Sequence, residues 1–495
     1  MKYISTRDKN CKVTSAEAIR DGLSKDGGLF VPETIPTLSK EDFDKLLAMS
    51  YEERVAFVLS KYLEDYTYDE LLSYAKMAYS RFYGDDPCPL VAVEDDIYVL
   101  ELWHGPTCAF KDMALTMLPH LLTGARKKTG EKSKTLILVA TSGDTGKAAL
   151  EGFRDVEGVD IIVFYPSEGV SDMQKLQMRT QVGNNVYVCG IGGNFDDAQS
   201  AVKTIFNDEK IKAQLLAKGY KLSSANSINW GRLAPQIAYY VSSYCDLVNG
   251  NRIKFGDKVN YCVPSGNFGN ILAGYYAYRM GVPVNKFICA SNVNNVLTDF
   301  FATGTYDIHR EFVKTMSPSM DILISSNLER FLFEMSGRDD KLIAQRMNEL
   351  KTNGKYSITS KELEEISKLF AAGYATEQDT LDVISSENEI NSYLMDTHTG
   401  VAMEVYREYA AEEEDYTPAV VVSTASAYKF PQDVLKAITG KVEHDAFVAS
   451  EKLNEITGED IPEPLKGLKD REVRFEDVIA KSDIADTVLD YIDKK

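Results

Sequence analysis

The sequence predicts an α/β fold with open, mostly parallel sheets that are covered by helices. Short apolar runs rich in β-branched residues alternate with helical stretches through the middle of the chain, a pattern typical of strands buried on both faces. These runs are TLILVA (135–140), DIIVFY (160–165), NVYVCG (185–190), KVNYCV (258–263) and KFICAS (286–291). A late run, AVVVS (419–423), is likewise followed by a turn and a helical stretch.

The flanks and one internal segment differ from this alternating core. Apolar residues spaced by three and four through 41–82 predict an N-terminal helical layer, and IYVLEL (97–102) predicts a strand after it. A stretch rich in Glu, Lys and Leu predicts a helical insertion, and the tail is polar with a short terminal helix. We therefore expect an N-terminal mostly helical domain (1–95), a large α/β domain (96–134, 222–300 and 396–495), a small α/β domain (135–221) and a helical insertion in the large domain (301–395).

Composition excludes several classes of function. A net charge of −20 opposes binding to nucleic acid or to an anionic membrane surface. The first ten residues, MKYISTRDKN, lack the apolar core of a secretory signal, so we expect a cytoplasmic protein. The seven cysteines are widely spaced without a CxxC pair, which favours reduced thiols over a metal site.

The strongest indication of a ligand site is the loop after the KVNYCV run. Ser265-Gly266-Asn267-Phe268-Gly269-Asn270 leads directly into an apolar helix. Backbone N–H groups at a helix start bind a phosphate dianion, and flanking glycines allow the ligand to approach closely. A tight turn without any ligand explains the glycines equally well, and the loop alone does not decide between the two.

A second glycine-rich turn, TSGDTGK, follows the TLILVA run. It is not a nucleotide P-loop, because residue 141 is threonine where the first glycine would fall and Lys147 is followed by Ala148. The hydroxyls and amides of Thr141, Ser142 and Thr145 are able to hold a carboxylate. Alternatively, Ser142 and Thr145 merely cap the helix.

The third element is HGPTCAFKD, which follows the predicted strand at 97–102. Lys111 lies between Phe110 and Met113 in this segment, and an apolar setting lowers the pKa of a lysine so that its neutral amine can form a Schiff base. From its position alone, however, a solvent-facing lysine is favoured, since most lysines are exposed.

Together the three elements provide a phosphate cradle, a carboxylate cradle and an amine, which is what a pyridoxal-phosphate enzyme acting on an amino acid requires. HGPTCAFKD, TSGDTG and PSGNFGN resemble the lysine, substrate-carboxylate and cofactor-phosphate motifs of the threonine synthase family. Further stretches resemble this family in the same order: TRDKNCKVTSAEAIRDGLSKDGGLFVPE, SANSINWGRLAPQ, SPSMDILISSNLER, DTHTG and STASAYKF. The resemblance implies fold type II of the pyridoxal-phosphate enzymes, with two open sheets and an N-terminal domain.

The resemblance also implies cofactor ligands. Lys111 would form the Schiff base with pyridoxal 5'-phosphate and then move protons on the substrate. Thr424 would hydrogen-bond the pyridine nitrogen. The cofactor phosphate would lie on the backbone of Gly266, Asn267, Phe268, Gly269 and Asn270. Ser426 departs from the family pattern, which has histidine after TA more often.

For the substrate, the resemblance implies that Thr141, Ser142 and Thr145 bind the carboxylate and that Asn226 and Arg232 bind a phosphate. Without the family match, a helix cap and a surface salt bridge would be the preferred roles for Asn226 and Arg232. Asp144 belongs to the same substrate loop, and its role is open. No catalytic role is expected for His104 or His398, because a lone histidine is more often structural.

The implied reaction converts O-phospho-L-homoserine and water to L-threonine and phosphate, by β,γ-elimination followed by β-hydration. A serine or threonine dehydratase, or a β-replacing enzyme such as cysteine synthase, is the alternative within the same fold. NSINWGR and the long N-terminal segment favour the first of these. A cofactor-free binding protein is the alternative from another class. For partners, we expect a small-molecule substrate, neither nucleic acid nor membrane, and a monomer or homodimer.

Overall fold

The computed structural model describes residues 1–141, 143–167, 170–193 and 195–495. Strands and helices alternate through the middle of the chain, as the sequence predicts. The strands are β1 (Tyr3–Ser5), β2 (Lys12–Val13), β3 (Phe30–Pro32), β4 (Leu90–Glu94), β5 (Ile97–Glu101), β6 (Lys134–Ala140), β7 (Val159–Pro166), β8 (Val186–Gly192), β9 (Tyr220–Ser223), β10 (Val259–Pro264), β11 (Val284–Ser291), β12 (Thr305–Asp307), β13 (Lys355–Ser357), β14 (Phe370–Tyr374), β15 (Ala419–Ser423) and β16 (Val478–Ala480).

The helices cover the sheets and form the N-terminal layer. They are α1 (Ser15–Asp21), α2 (Lys40–Leu47), α3 (Tyr51–Tyr62), α4 (Tyr68–Tyr79), α5 (Asp112–Leu115), α6 (Leu118–Lys128), α7 (Asp144–Phe153), α8 (Asp172–Arg179), α9 (Phe195–Asn207), α10 (Glu209–Ala217), α11 (Trp230–Asn249), α12 (Gly269–Met280), α13 (Val296–Thr303), α14 (Leu328–Met335), α15 (Asp340–Asn353), α16 (Ser360–Ser367), α17 (Glu377–Asn391), α18 (Thr397–Glu413), α19 (Pro431–Thr439), α20 (Ala446–Thr457) and α21 (Ile484–Asp493). In the described ranges, no helix has both the length and the hydropathy needed to cross a membrane.

Six strands form the larger sheet, in the order β14-β11-β10-β15-β5-β4. All neighbours are parallel except β4 and β5. Every residue of β10 and β15 is buried, which explains why their sequences are continuous apolar runs rather than alternating ones. The predicted α/β fold class with open, mostly parallel sheets is therefore confirmed.

Five parallel strands form the smaller sheet, in the order β16-β8-β7-β6-β9. The tail was expected to lie with the large domain throughout 396–495, and this is wrong for its last segment. Val478 pairs with Gly190, and α21 buries Ile484 and Val488 beside the smaller sheet. A Cβ at Gly190 would lie 3.1 Å from Val478 Cγ2, so the glycine leaves room for this edge strand.

Two further expectations need correction. β14 lies inside the expected helical insertion, 301–395, but pairs with β11 through Phe370 and Phe287 and so extends the larger sheet. β4, at the end of the expected N-terminal domain, pairs with β5 in that same sheet. The partner of β14 lies far away in the sequence, so local pattern does not reveal that pairing, whereas β4 and β5 are consecutive strands that form an antiparallel hairpin. The other domain boundaries stay predictions.

The N-terminal layer packs against α11, the long helix behind the larger sheet. Helices α2, α3 and α4 each begin with a capping box, at Ser39, Ser50 and Thr67. Trp230, at the start of α11, is fully buried and contacts the rings of Tyr3 and Tyr62. The layer also contains a small antiparallel sheet, β2-β1-β3. This packing fixes the first turn of α11, which carries Arg232.

Candidate active site

The segment that carries Lys111 is joined to the turn after β15. The backbone N–H of Phe110 donates to the carbonyl of Thr424 at 2.8 Å, and the N–H of Ser426 donates to the carbonyl of Cys108 at 3.2 Å. Ala109 and Ala425 form an isolated antiparallel bridge between these bonds. The two loops therefore hold Lys111 and Thr424 in a fixed relation at one edge of the larger sheet.

Lys111 is buried, with 8% of its surface exposed, and its Nζ donates to Ser319 Oγ at 3.0 Å. The solvent-facing role favoured by sequence position alone is wrong, because the chain folds over this lysine. Burial lowers the pKa of Lys111 to about 8; Asp144 opposes this change, and the positive charges of Arg232 and Lys429 reinforce it. The neutral fraction of the amine near pH 7 is thus about one tenth, far more than for an exposed lysine.

Asp144 is the carboxylate next to Lys111, and it is buried. Its Oδ2 lies 3.7 Å from Lys111 Nζ, and its Oδ1 lies 3.0 Å from Lys429 Nζ and accepts from Gln174 Nε2 at 2.8 Å. Burial alone raises the pKa of Asp144, but the two lysines outweigh it and hold that pKa well below its usual range. Asp144 is therefore an ionised carboxylate shared by two ammonium groups. Sequence reasoning missed Lys429, although it belongs to the quoted STASAYKF stretch.

The predicted phosphate loop turns its carbonyls toward the protein and leaves its amides free. The carbonyl of Gly266 accepts from Ser325 Oγ at 2.8 Å, and the carbonyl of Asn267 accepts from the N–H of Asn327 at 3.0 Å. The N–H groups from Gly266 through Asn270 donate to no acceptor in the described part of the chain. Five unpaired donors at the start of an apolar helix form an arrangement that suits a phosphate dianion.

Two residues of this loop meet special steric or backbone demands, Gly266 through a close contact and Phe268 through its backbone conformation. A Cβ added at Gly266 would lie 2.7 Å from the carbonyl oxygen of Ser319, so only glycine fits. Phe268 adopts a left-handed conformation with φ 61° at the entry to α12. Ser319 thus contacts both the loop and Lys111, which shows that the structure brings these two predicted elements together.

Two polar groups near the loop are left without protein partners. Asn270 Oδ1 accepts from the hydroxyls of Tyr239 and Tyr240 at 2.6 and 2.7 Å, which fixes the amide so that its Nδ2 is a buried donor without an acceptor in the described residues. The side chain of Thr424 is mostly buried and its hydroxyl makes no hydrogen bond within those residues, although the hydroxyl oxygen itself keeps some exposure. An unpaired buried donor such as Asn270 Nδ2 carries a free-energy cost, which a bound ligand relieves. These residues fit a phosphate and a heterocyclic nitrogen.

The TSGDTG turn differs from its prediction. Thr141 Oγ1 accepts from the N–H groups of Gly143 and Gly146 at 3.0 and 2.9 Å, so this hydroxyl holds the turn together instead of facing a ligand. Ser142 lies outside the described residues. Thr145 is half-buried in the first turn of α7, and since that helix begins without a side-chain cap, capping by Thr145 is wrong. Its hydroxyl makes no hydrogen bond to any described residue.

Arg232 is buried in the first turn of α11, with 5% of its surface exposed. Its Nη1 donates to the carbonyl of Ala225 at 2.8 Å, and no described carboxylate lies within salt-bridge distance. Burial lowers the pKa of Arg232 to about 10. The surface salt bridge considered from sequence is therefore wrong, and the cap of α11 is Asn229 rather than Asn226. A buried cation without a counter-ion suits an anionic ligand.

Ser319 is held in place by a histidine that sequence reasoning left without a role. His398 Nδ1 is 2.7 Å from Asp396 Oδ2, and His398 Nε2 accepts from the N–H of Ser319 at 3.1 Å. Because Nε2 accepts a hydrogen bond and Nδ1 faces a carboxylate, the proton of the neutral ring is assigned to Nδ1. His398 thus supports Ser319 behind Lys111. The quoted SPSMD and DTHTG stretches contained these residues, but only the fold shows that they meet.

Three family models match the chain and together span most of its length. They are "Threonine synthase N terminus" at residues 2–79, "Pyridoxal-phosphate dependent enzyme" at residues 86–426 and "Threonine synthase, C-terminal" at residues 399–492.

The chain is also similar to individual proteins. It is 40% identical to threonine synthase-like 1 of Homo sapiens, over 88% of this chain and 60% of that protein. The chain therefore spans about 60% of the length of the threonine synthase-like 1 proteins that it matches. Threonine synthase of Pseudomonas aeruginosa is 38% identical, over 89% of this chain and 91% of that protein. The crystal structure of PLP-bound threonine synthase from Brucella melitensis has a TM-score of 0.88 at 36% identity, covering 99% of this chain and 98% of that one.

Proposed function

Because the chain belongs to the threonine synthase family of pyridoxal-phosphate-dependent enzymes, we propose that it converts O-phospho-L-homoserine and water to L-threonine and phosphate. Membership in the family also confirms the expected fold type and the expected cofactor, pyridoxal 5'-phosphate. The observation that carries the proposal is Arg232, a buried cation that has no counter-ion among the described residues and whose charge lowers the pKa of Lys111. A dehydratase acting on serine has no phosphate to place there.

Lys111 holds the cofactor through its amine in this proposal, and Thr424 donates or accepts at the pyridine nitrogen. The free amides from Gly266 to Asn270 and the Nδ2 of Asn270 bind the cofactor phosphate without a cationic side chain. When bound, pyridoxal phosphate supplies an electron sink for the negative charge that develops on the substrate carbon. A neutral hydroxyl partner at the ring nitrogen leaves the sink weaker than a carboxylate partner would.

Lys111 is also the proposed base. An amine with a pKa of about 8 accepts a proton from carbon near neutral pH and returns it later, because efficient bases have a pKa close to the working pH. Ser319 Oγ accepts from Lys111 Nζ and so holds the amine in one direction. The substrate proton at the α-carbon and then the proton at the β-carbon would pass to this nitrogen.

Arg232 and Asn226 are the proposed ligands of the substrate phosphate. A guanidinium fork binds two phosphate oxygens at once and stays charged as the phosphate departs, which suits a leaving group. The side chain of Asn226 is half-buried and makes no hydrogen bond in the described ranges, so it is available to the same ligand. Thr145 and the amides at the start of α7 remain the proposed carboxylate ligands, and Thr141 supports their loop.

Phosphate release from O-phospho-L-homoserine, measured beside the turnover of serine and threonine, tests this proposal. We expect phosphate and threonine to form in equal amounts, and Arg232→Met to raise KM for the phosphorylated substrate about 100-fold because a charge-assisted pair is lost. Arg232→Lys should recover part of the loss, and the turnover of serine should change far less than that of the phosphorylated substrate in both variants. Serine deamination faster than phosphate release would instead identify a dehydratase.

A further inference from the structure

Lys429 is a buried lysine that the proposed mechanism does not use. Its side chain is fully buried, and its Nζ lies 3.0 Å from Asp144 Oδ1 and donates to the carbonyl of Thr107 at 3.0 Å. It also donates to Gln177 Oε1. These partners come from three segments: the start of α7, the loop before Lys111, and α8. One ammonium group therefore joins the elements that surround Lys111.

Asp144 lies between Lys429 and Lys111. The closer contact is to Lys429, at 3.0 Å, and the longer one is to Lys111, at 3.7 Å. Gln174 donates to the same oxygen that faces Lys429. The carboxylate is thus held mainly on the side away from Lys111, and Lys111 receives only part of its charge.

We propose that Lys429 is a positioning residue that keeps Lys111 weakly basic, by retaining Asp144 and by placing a second positive charge behind it. The inference rests on the proposed function only in taking Lys111 as the reactive amine. If Lys429 were neutral, Asp144 would be free to pair fully with Lys111, and the protonated amine would gain an ion pair at short range. The neutral fraction of Lys111 at neutral pH would then fall further, and with it the fraction of the amine that is able to accept a proton from carbon.

Two other charged groups face Lys111, and neither replaces Lys429. Arg232 lies on α11 and has no carboxylate partner in the described residues. Asp112 is turned away, since its oxygens accept from the N–H and Oγ1 of Thr107 at 2.8 and 2.7 Å. Burial raises the pKa of Asp112 to about 6, against these two hydrogen bonds. Among the described residues, Asp144 alone links Lys111 to a second lysine.

The test measures the protonation of Lys111 directly, in full-length protein freed of pyridoxal phosphate by dialysis. Trace acetylation with acetic anhydride across pH 6 to 11, followed by mass spectrometry of the Lys111 peptide, gives the midpoint at which the amine becomes reactive. We expect Lys429→Met to raise this midpoint by about one pH unit and Asp144→Asn to lower it by a similar amount. Lys429→Arg, which retains the charge, should stay near the parent midpoint.

Lys147→Met is the matched control. Lys147 is also buried and lies on α7, but it pairs with Glu151 and Gln181 and does not contact Asp144. We expect no shift of the Lys111 midpoint in this variant. Retained binding of added pyridoxal phosphate identifies the folded samples.

Opposite shifts for Lys429→Met and Asp144→Asn support the inference, because a general loosening of the site would expose Lys111 and raise its midpoint in both. An unchanged midpoint in Lys429→Met, or a shift in the same direction for both variants, would overturn it. If Lys429→Met does not fold, the Asp144→Asn and Lys429→Arg results decide alone, and an upward shift in either contradicts the inference. The midpoint does not depend on the substrate, so failure to release phosphate from O-phospho-L-homoserine leaves this result intact.

Discussion

The helix starts after β6 and after β10 look alike in sequence and differ in where their amides point. Both follow a buried parallel strand through a glycine-rich turn. At α7, the hydroxyl of Thr141 accepts from the amides of Gly143 and Gly146, so the turn satisfies two of its own donors. At α12, the amides from Gly266 to Asn270 donate to nothing in the described chain. A glycine-rich turn is therefore open to an anion only where no nearby hydroxyl occupies its donors.

Charge sharpens the difference between these helix starts. The first turn of α7 contains Asp144, whose negative charge is favoured at a helix N-terminus and is balanced by two lysines. The first turn of α12 contains no acidic residue. A phosphate dianion is thus favoured at α12 over α7. This contrast supports our proposal that the cofactor phosphate binds at the second turn and that a single carboxylate binds at the first.

The largest expected effect on cofactor affinity comes from blocking the turn before α12, which we call the open turn because its amides have no acceptor in the described chain. In Gly266→Val, the new side chain would collide with the backbone carbonyl of Ser319 and push the loop away from its ligand. Loss of two amide bonds to a phosphate should weaken pyridoxal phosphate binding at least about 100-fold, as measured by fluorescence titration. Gly192→Val is the control, because a Cβ there meets no atom closer than 3.8 Å. Equal affinity in the two variants would contradict the assignment of the loop.

A smaller effect is expected from changing one donor in the open turn to an acceptor. Asn270→Asp keeps the oxygen that accepts from Tyr239 and Tyr240 but replaces the free Nδ2 by a second oxygen. The loss of one charge-assisted hydrogen bond and the added repulsion should weaken cofactor binding about 30-fold. Because the packing is unchanged, the cofactor-free protein should unfold at nearly the parent temperature. Unaltered cofactor affinity would show that Nδ2 faces elsewhere.

Most of the fold was predictable because its central strands are buried on both faces. The sequence runs at 160–165 and 258–263 are mostly apolar, and every residue of β7 and β10, which form there, is buried. The edge strands β14 and β16 were missed, since their pairing depends on distant partners rather than on their own pattern. Strand placement in this chain thus follows local sequence in the interior of each sheet and tertiary contact at its edges.

The sequence motifs of the candidate site could be predicted, but the contacts between those motifs could not. Lys111 was found from its neighbours in HGPTCAFKD, but its burial depends on Ser319 and Asp144, which other loops supply. Lys429 gave no local signal, because a lysine after a strand is usually exposed and this one is covered by α7 and α8. Residue chemistry therefore indicated the candidate reactive amine, and only the fold showed which charged residues lie next to it.

The smallest effect on cofactor affinity is expected from a change in the other turn, before α7, where Thr141 accepts from two amides. Thr141→Val keeps the shape of the side chain but leaves the amides of Gly143 and Gly146 without an acceptor. The free energy of unfolding should fall by about 2 kcal/mol, because unpaired buried amides are costly. Affinity for pyridoxal phosphate should change less than about 3-fold, since that phosphate lies at α12 and a change this small is below 1 kcal/mol.

Thr141→Ser separates the hydroxyl from the methyl group in this prediction. The serine retains the acceptor for both amides and should recover most of the lost stability in thermal unfolding, whereas a variant without any hydroxyl should not. KM for the amino-acid substrate should rise several-fold in Thr141→Val only, because the loop that presents Thr145 loses its internal hydrogen bonds. If Thr141→Val instead loses pyridoxal phosphate as strongly as Gly266→Val, the two helix starts share one ligand, and the division of anions between them is wrong.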